Sequence, residues 1–328
     1  MADKLIPILA VVGPTASGKT GLGVELAVRL GGEVVSCDSM QIYRGMDIAT
    51  AKPTVDEMRG VVHHLIDFVD RHENYSVARY VRDANAAIRD VASRGRLPIL
   101  VGGTGLYYSS LIDNISFDEQ PTDEDMRHRL TDEAGKVGGE KMLERLRIID
   151  PEYAERLHPA DVKRIVRALE LYYTTGTTMS EQLKRSRLQS GDILPLSVGI
   201  NFADRERLYE RINLRVDQML KRGLLDEAAS TPSCGTAAQA IGHKELAPYL
   251  DGRCTLGEAV ESLKRETRRY AKRQLTWFRR DGRIYWLEAD GRTTSQLADE
   301  AVTLIDSRFM QTASAAGINI HLEEQRNG

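Results

Sequence analysis

The sequence predicts an α/β fold, in which helices flank a parallel sheet and a helical domain is inserted. Three observations predict this fold. Short β-branched runs alternate with amphipathic helical segments, a glycine-rich loop directly follows the first run, and one internal stretch is rich in charge. In the first part of the chain, the predicted strands are 5–12, 33–37 and 97–101, and the predicted helices are 21–30, 76–94 and 105–112.

Each element has a local reason. The run LIPILAVV at 5–12 is continuously apolar, as is typical of a parallel strand buried on both faces. The segment 76–94 places Val77, Tyr80, Ala84 and Ile88 at helical spacing, which predicts an amphipathic helix. Glycine follows strand 97–101 and limits its length.

The pattern changes near residue 121. Residues 121–190 are rich in charged and helix-forming side chains, broken by glycine and proline, which predicts a helical insertion domain. Strand character returns at 194–200, Asp204 can cap a helix that ends at Lys221, and helices at 243–250 and 255–280 precede a strand at 284–287. We therefore predict a core formed by 1–120 and 191–308, the insertion at 121–190, and a flexible tail at 309–328.

Composition limits the class of protein. The 328 residues are 41% hydrophobic and 28% charged with a formal net charge of −3, which suits a soluble globular protein and excludes a generally basic one. Three widely spaced cysteines without a CxxC pair argue against a zinc ribbon or a disulfide scaffold and favour the cytoplasm. No apolar run reaches the roughly 18 residues of a membrane helix, and no cleavage site follows the apolar N-terminus, so we expect neither a membrane partner nor a signal peptide.

The glycine-rich loop reads GPTASGKT and matches the phosphate-loop pattern GxxxxGK(S/T). Its backbone N–H groups can surround a phosphate, and the following helix adds the positive end of its dipole. Lys19 supplies a full charge, and the Thr20 hydroxyl can ligate a phosphate-bound Mg²⁺, the predicted cofactor. The predicted diphosphate-binding residues are Gly13, Pro14, Thr15, Ala16, Ser17, Gly18, Lys19 and Thr20. The predicted fold is therefore P-loop NTPase-like.

The loop alone leaves the reaction open. A small-molecule kinase that binds ATP would break a bond between two phosphates, whereas an alkyl transferase would break a carbon–oxygen bond and leave diphosphate in the loop. Asp38 ends the second predicted strand, at the edge where parallel sheets bind ligands. This carboxylate could support Mg²⁺, act as a general base, or cap a helix.

Several motifs together resemble those of the bacterial tRNA dimethylallyltransferases, the tRNA isopentenyltransferases of the IPP transferase family. The resemblance covers the chain to about residue 290. The motifs are GPTASGKT (13–20), CDSMQIYRGMDIATAKPT (37–54), HHLID (63–67), VGGTGLYYSSL (101–111), VKRIVRALELYYTTG (162–176), IGHKE (241–245) and TRRYAKRQLTWFRR (267–280).

The resemblance implies transfer of a dimethylallyl group from dimethylallyl diphosphate to the exocyclic N6 amine of adenosine 37 of tRNA, next to the anticodon. By resemblance, Asp38 is the general base and Arg215 binds the diphosphate, while Thr20 and Thr104 lie close to the reacting groups. From pattern alone, a solvated helix charge is the favoured interpretation of Arg215, and Thr104 could equally cap helix 105–112.

A basic helix is the main prediction for RNA binding. Between residues 264 and 283, nine cations face two anions, while Val260, Leu263, Tyr270, Ala271, Leu275 and Phe278 predict a buried stripe. The anticodon stem-loop of tRNA is the expected partner, and a loop base can leave its stack for a pocket. The predicted tRNA-binding residues are Asp38, Ser39, Met40, Gln41, Arg127, Lys163, Arg164, Ile165, Val166, Arg167, Gln239, Lys244, Arg268 and Arg269.

Two other classes compete with tRNA prenyl transfer. A small-molecule kinase would use the same loop but has no need of a basic helix. An RNA-binding module that only senses nucleotide would not need Asp38 beside an intact loop. Because no coiled-coil heptads occur, we expect a monomer.

Overall fold

The computed structural model describes residues 5–115, 123–187, 192–231 and 235–320. The chain forms two compact units: Met1–Ile112 with Gly191–Gly328, and Asp113–Ser190. The second unit begins at Asp113, directly after the helix that ends at Ile112, rather than at the predicted 121.

Six parallel strands form the sheet of the first unit. They are β1 (Ile6–Val12), β2 (Gly32–Ser36), β3 (His63–His64), β4 (Leu97–Gly102), β5 (Ile193–Asn201) and β6 (Ile284–Glu288). Their order is β3-β2-β4-β1-β5-β6. Val12 lies level with Gly102 on one side and Gly199 on the other, so the loops after the central strands emerge together at one edge.

Helices connect and flank these strands within the described residues. They are α1 (Lys19–Leu30), α2 (Val55–Met58), α3 (Val77–Ser93), α4 (Gly105–Ile112), α5 (Glu124–Val137), α6 (Gly139–Ile149), α7 (Pro151–Ala154), α8 (Val162–Thr175), α9 (Met179–Arg187), α10 (Arg205–Lys221), α11 (Leu224–Ser230), α12 (His243–Leu250), α13 (Leu256–Phe278), α14 (Thr294–Thr303) and α15 (Ser307–Ala316). A short 3₁₀ helix spans Ala237–Gln239.

The α/β fold with its parallel sheet is confirmed, and local chemistry explains its main helices. The Asp204 carboxylate accepts a hydrogen bond from the Glu206 N–H, as expected of the cap of α10. Thr255 and Glu258 form a reciprocal capping box at the start of α13. The strands and the helices packed on them share a core in which Leu9, Leu26, Ile99, Val198 and Ile212 are fully buried, and a second buried cluster lies between α10, α11, α12 and α13.

The predicted flexible tail at 309–328 is wrong for its described part. Residues Ser307–Ala316 form α15, which packs against β1 and β5. Phe309, Ala313 and Ile318 are buried, and the Asn319 N–H donates to the Gly95 carbonyl. These apolar residues are separated by small and polar ones, which hid the amphipathic pattern; residues 321–328 lie outside the described part of the chain.

The second unit is helical, α5–α9, and has its own core. Leu130, Leu143, Leu146, Ile165 and Leu169 are buried together there. Across the described residues of both units, no helix has the length and apolar character needed to span a membrane.

Candidate active site

The phosphate loop joins β1 to α1. Gly18 takes a left-handed conformation (φ 95°) just before the first helical residue, which glycine does without steric cost. The Lys19 ammonium donates to the Pro14 carbonyl across 3.2 Å. The first N–H groups of α1 have no intrahelical acceptor, so this end of the helix can receive an anion.

The Lys19 ammonium loses its proton more readily in this site than in water. Its pKa is lowered from 10.5 to about 8, first by burial and then by the nearby Arg215 guanidinium, while the Asp38 and Cys37 side chains partly oppose this shift. Burial also lowers the pKa of Arg215, and the Asp38 carboxylate opposes that effect. Lys19 and Arg215 repel each other and are removed from water, so an anion bound beside them would stabilise both charges.

A cavity of about 480 Å³ opens beside the loop. Helix α10 lines it with Arg211 and Arg215, which fall on one face of the helix, and Arg222, the residue that follows the helix, joins them. The Arg211 Nε donates to the Ala16 carbonyl at 2.9 Å, so α10 is bonded to the phosphate loop itself. The predicted diphosphate-binding Arg215 thus lies beside the loop.

A second cavity, of about 200 Å³, shares Lys19, Thr20 and Arg215 with the first. Asp38 and Thr15 line it, together with a largely apolar wall. That wall comprises Ala49, Ile212, Val216, Met219, Ala240, Ile241 and Leu263. The arrangement provides polar groups at the loop end and apolar surface for a small hydrocarbon group or a base.

Asp38 follows β2 and bonds its own turn. Its Oδ1 accepts the Met40 N–H at 2.9 Å and the Gln41 N–H at 3.4 Å. In the described residues no donor reaches Oδ2, so this oxygen is available to a ligand in the cavity. Asp38 therefore shapes a turn after β2 and does not cap a helix.

Thr104 supports the same turn. Its Oγ1 accepts the Ser39 N–H at 2.9 Å and donates to the Ser39 hydroxyl across 3.3 Å, so in the described residues its side chain bonds this turn rather than the first N–H groups of α4. The strand ends are in close contact here, because a Cβ on Gly102 would lie 2.0 Å from the Cys37 carbonyl oxygen. Burial raises the pKa of the Cys37 thiol to about 12, which leaves it inert.

The other predicted residues of this turn line the smaller cavity, and one of them also holds the neighbouring loop. Ser39, Met40 and Gln41 line the smaller cavity. The Gln41 amide nitrogen donates to the Thr50 and Ala51 carbonyls, at 3.2 and 3.3 Å, and so holds the neighbouring loop. Its predicted pairing with a base edge would have to use the amide oxygen or a rearranged side chain.

Sequence reasoning missed Glu227, which fixes that neighbouring loop. Its carboxylate accepts the N–H groups of Asp47, Ile48 and Ala49 at 2.7, 2.7 and 2.9 Å, and His243 Nε2 lies 3.1 Å away. Burial alone would raise the pKa of Glu227, but these hydrogen bonds lower it below 4.5. Because the four partners are remote in sequence, no local pattern points to this cluster.

Sequence reasoning also missed Gln274. It lies on α13, is 5% exposed, and bonds both the phosphate loop and the turn after β4. The predicted buried stripe of α13 is partly wrong. Its fully buried line is Ala259, Leu263, Thr267, Ala271, Gln274 and Phe278, because the helix also buries polar residues against the site.

The basic side chains of α13 and of Arg279 and Arg280, which follow it, fall into two groups. Arg268 donates to the Asn213 side chain at 2.7 Å, and Lys264 pairs with Asp217 at 2.8 Å, so these two bind α13 to α10. The exposed group comprises Arg265, Arg269, Lys272, Arg273, Arg279 and Arg280. Arg269 also pairs with Glu266.

Near α12, Gln239 lines the smaller cavity, whereas Lys244 is exposed and outside its lining. In the second unit, Arg127 and Arg167 both pair with the fully buried Glu170, at 2.9 Å each.

Helix α8 of the second unit carries the other predicted contacts. The side chains of Ile165 and Val166 belong to the unit's core, with exposures of 0% and 4%. This burial corrects the expectation that their side chains meet tRNA. Lys163 and Arg164 are exposed on the same helix, and tRNA contact by these two side chains stays a prediction.

The residues present suit Mg²⁺ at Thr20. The described residues contain no cluster of three His, Cys, Asp or Glu side chains that would form a complete metal cage. Mg²⁺ commonly uses one or two protein oxygens and completes its shell with phosphate oxygens and water. The Thr20 hydroxyl and the Asp38 carboxylate line the same cavity beside the loop and are donors of that kind.

Comparison with known proteins gives a consistent result. A family model described as IPP transferase matches residues 41–281. A tRNA dimethylallyltransferase of Geobacillus thermodenitrificans is 49% identical over 88% of this chain and 91% of its own length. The solved tRNA isopentenylpyrophosphate transferase of Bacillus halodurans is 42% identical, covers 94% of this chain and 98% of its own, and gives a TM-score of 0.68. A solved eukaryotic dimethylallyltransferase acting on tRNA is 30% identical, covers 97% of this chain and 81% of its own, and gives a TM-score of 0.77. The chain belongs to the IPP transferase family.

Proposed function

We propose that this chain is a tRNA dimethylallyltransferase. It transfers the dimethylallyl group of dimethylallyl diphosphate to the N6 amine of adenosine 37, next to the anticodon, and releases diphosphate. One observation carries the proposal. A single cavity brings Lys19 and Thr20 of the phosphate loop together with Asp38 and an apolar wall, which matches a diphosphate, a proton acceptor and a hydrocarbon group.

In the proposed reaction, the allylic carbon–oxygen bond breaks as a carbon–nitrogen bond forms to N6. The bond pair of the broken bond leaves with diphosphate. Lys19, Arg215 and the N–H groups at the start of α1 neutralise the charge that develops there. Mg²⁺, held by Thr20 and phosphate oxygens, would add positive charge at the same group.

The amine gains a bond and must lose a proton. Asp38 is the proposed acceptor, because its Oδ2 is available at the cavity while Oδ1 is fixed by the turn. Thr104 keeps that turn in place through Ser39. A positioned general base of this kind contributes roughly 10²–10⁴-fold to rate.

tRNA would bind through the exposed cations of α13 and through the exposed Lys163 and Arg164. The names of the relatives and the tRNA-acting structural neighbour support this partner over a small-molecule kinase substrate. We further propose that the protein acts as a monomer in the cytoplasm, where unmodified tRNA is found.

Transfer is tested with labelled dimethylallyl diphosphate, unmodified tRNA and Mg²⁺, followed by digestion and mass analysis of the nucleosides. We expect the added five-carbon group on adenosine next to the anticodon. Asp38→Asn should lower the single-turnover rate at least about 100-fold and leave tRNA affinity nearly unchanged. Asp56→Asn, an exposed carboxylate on α2, is the matched control and should behave as wild type. Phosphoryl transfer from ATP to a small molecule, with unlabelled tRNA, would instead establish the kinase.

A further inference from the structure

Gln274 makes hydrogen bonds at both ends of its amide. Its Oε1 accepts the Thr15 N–H at 2.8 Å, and its Nε2 donates to the Gly103 carbonyl at 2.8 Å. The side chain is 5% exposed, so neither bond competes with bulk water. One buried amide therefore joins α13, the phosphate loop and the turn that follows β4.

The atoms around this amide and the neighbouring Trp277 are closely packed. A Cβ on Gly103 would lie 2.3 Å from Gln274 Nε2, and a Cβ on Gly105 would lie 2.3 Å from the Trp277 ring. The Trp277 Nε1 donates to the Ser109 hydroxyl at 2.9 Å. Two residues one helical turn apart thus hold α13 against the start of α4.

The turn after β4 leads directly to Asp38. Gly103 precedes Thr104, and Thr104 Oγ1 holds the Ser39 N–H beside the proposed base. The other end of the Gln274 amide holds Thr15 within the diphosphate loop. Gln274 is therefore the bridge between the two parts of the site that must cooperate on one substrate.

We propose that Gln274 is a positioning residue that sets the spacing between the diphosphate loop and the Asp38 turn, and that fixes both to the basic helix α13. The inference rests on the proposed function and deepens it. The transferred carbon must lie against its leaving diphosphate and within reach of the amine that Asp38 deprotonates. A displacement of about 1 Å in such an arrangement can lower the rate about 100-fold.

The amide is suited to this position because it accepts at one end and donates at the other. Methionine has similar length but makes neither bond. Glutamate keeps the acceptor toward Thr15 but presents a second acceptor to the Gly103 carbonyl, unless it carries a proton. Burial and that carbonyl would raise the pKa of such a carboxyl group, so its protonated form would restore both bonds.

The test compares Gln274→Met and Gln274→Glu with Thr276→Val. Thr276 is exposed on the same helix and bonds only to its own helix, at the Lys272 carbonyl. Single-turnover rates are measured at saturating substrates, with tRNA affinity and Tm in parallel. We expect Gln274→Met to slow transfer about 10–100-fold, with tRNA affinity within about twofold of wild type and the protein fully folded at the assay temperature. Thr276→Val should match wild type.

Gln274→Glu supplies a readout that loss of stability alone would not give. Its rate relative to wild type should rise as pH falls from about 8 to about 6, whereas the ratio for Gln274→Met should stay constant. A wild-type rate in Gln274→Met, or a pH-independent deficit in folded Gln274→Glu, would overturn the positioning role. If the wild type itself transfers nothing to tRNA, the proposed function fails; if it transfers normally, those outcomes count against Gln274 alone.

Discussion

Diphosphate affinity should fall as pH rises above about 8, because Lys19 loses its proton in the empty site. Its pKa is about 8 there, lowered from 10.5 chiefly by burial and then by Arg215. A bound diphosphate supplies opposite charge and raises that pKa again. Between about pH 7 and 8 the lysine is largely charged in both states, so its titration changes the affinity little. Above pH 8, binding must take up a proton, so affinity falls.

The magnitude follows from linkage of one proton. Affinity should fall tenfold for each pH unit well above the pKa, and about 30-fold in total by about pH 9.5. Calorimetry with dimethylallyl diphosphate in the absence of tRNA measures it directly. The terminal phosphate of this ligand is fully ionised in that range and adds no proton of its own. Titrations in two buffers of different ionisation enthalpy should also show uptake of close to one proton at high pH.

Two variants identify the titrating group. Lys19→Arg keeps its charge throughout, so it should bind more weakly but without the pH dependence. Arg215→Gln removes the neighbouring cation, so the decline should begin at higher pH, although affinity at pH 7 will be lower. A wild-type affinity that is constant from about pH 7 to 9.5 would refute the reasoning, and an unchanged slope in Lys19→Arg would show that another group titrates.

Two further predictions concern stability and RNA. Glu227→Gln should lower the free energy of unfolding by about 2 kcal/mol at pH 7, because it removes the charged carboxylate that accepts three backbone N–H groups. Urea titration measures this loss, and Glu261→Gln, at an exposed position, is the control. Folding lowers the pKa of Glu227 below 4.5, so the difference should be full above about pH 4.5 and shrink as pH falls from there through the lowered pKa of the folded state; a difference that stays constant over this range would contradict this account. Arg269→Ala should weaken tRNA binding and reduce the slope of log affinity against log salt by about one, with unchanged Tm. Arg268→Ala should also lower Tm, because its guanidinium bonds Asn213; salt slopes equal to wild type in both variants would remove α13 from the interface.

The parts of the site that the sequence predicted are those whose residues are contiguous. The phosphate loop occupies eight consecutive residues, and Asp38 follows a recognisable strand, so pattern and strand topology were sufficient. Arg215 and Thr104 needed the family resemblance, because one helical arginine or one threonine after glycine has many ordinary explanations. Glu227 and Gln274 could not be found from the sequence, since their partners lie up to 259 residues away and only the folded chain brings them together.

The same limit explains the errors in the described elements. Helix α15 has few large apolar residues, so its sequence shows no clear amphipathic pattern. Packing against β1 and β5 stabilises the helix instead. In α13, hydrophobicity alone predicted the buried stripe, but Thr267 and Gln274 lie on the buried line because their hydrogen bonds are satisfied there.

Helix α13 lies between the proposed RNA surface and the cavity. Its outer face carries exposed cations such as Lys272 and Arg273, and its inner face contributes Leu263, Thr267 and Gln274 to the cavity. The same helix carries the amide that bonds Thr15 and Gly103, so under the proposed function one helix connects the RNA surface to the phosphate loop. A buried polar side chain that loses its hydrogen bonds destabilises a helix more than an apolar side chain in the same place would. The proposed positioning role therefore accounts for Gln274 where packing alone does not, because an apolar residue of the same volume would fill the space without making the hydrogen bond to Thr15 of the phosphate loop.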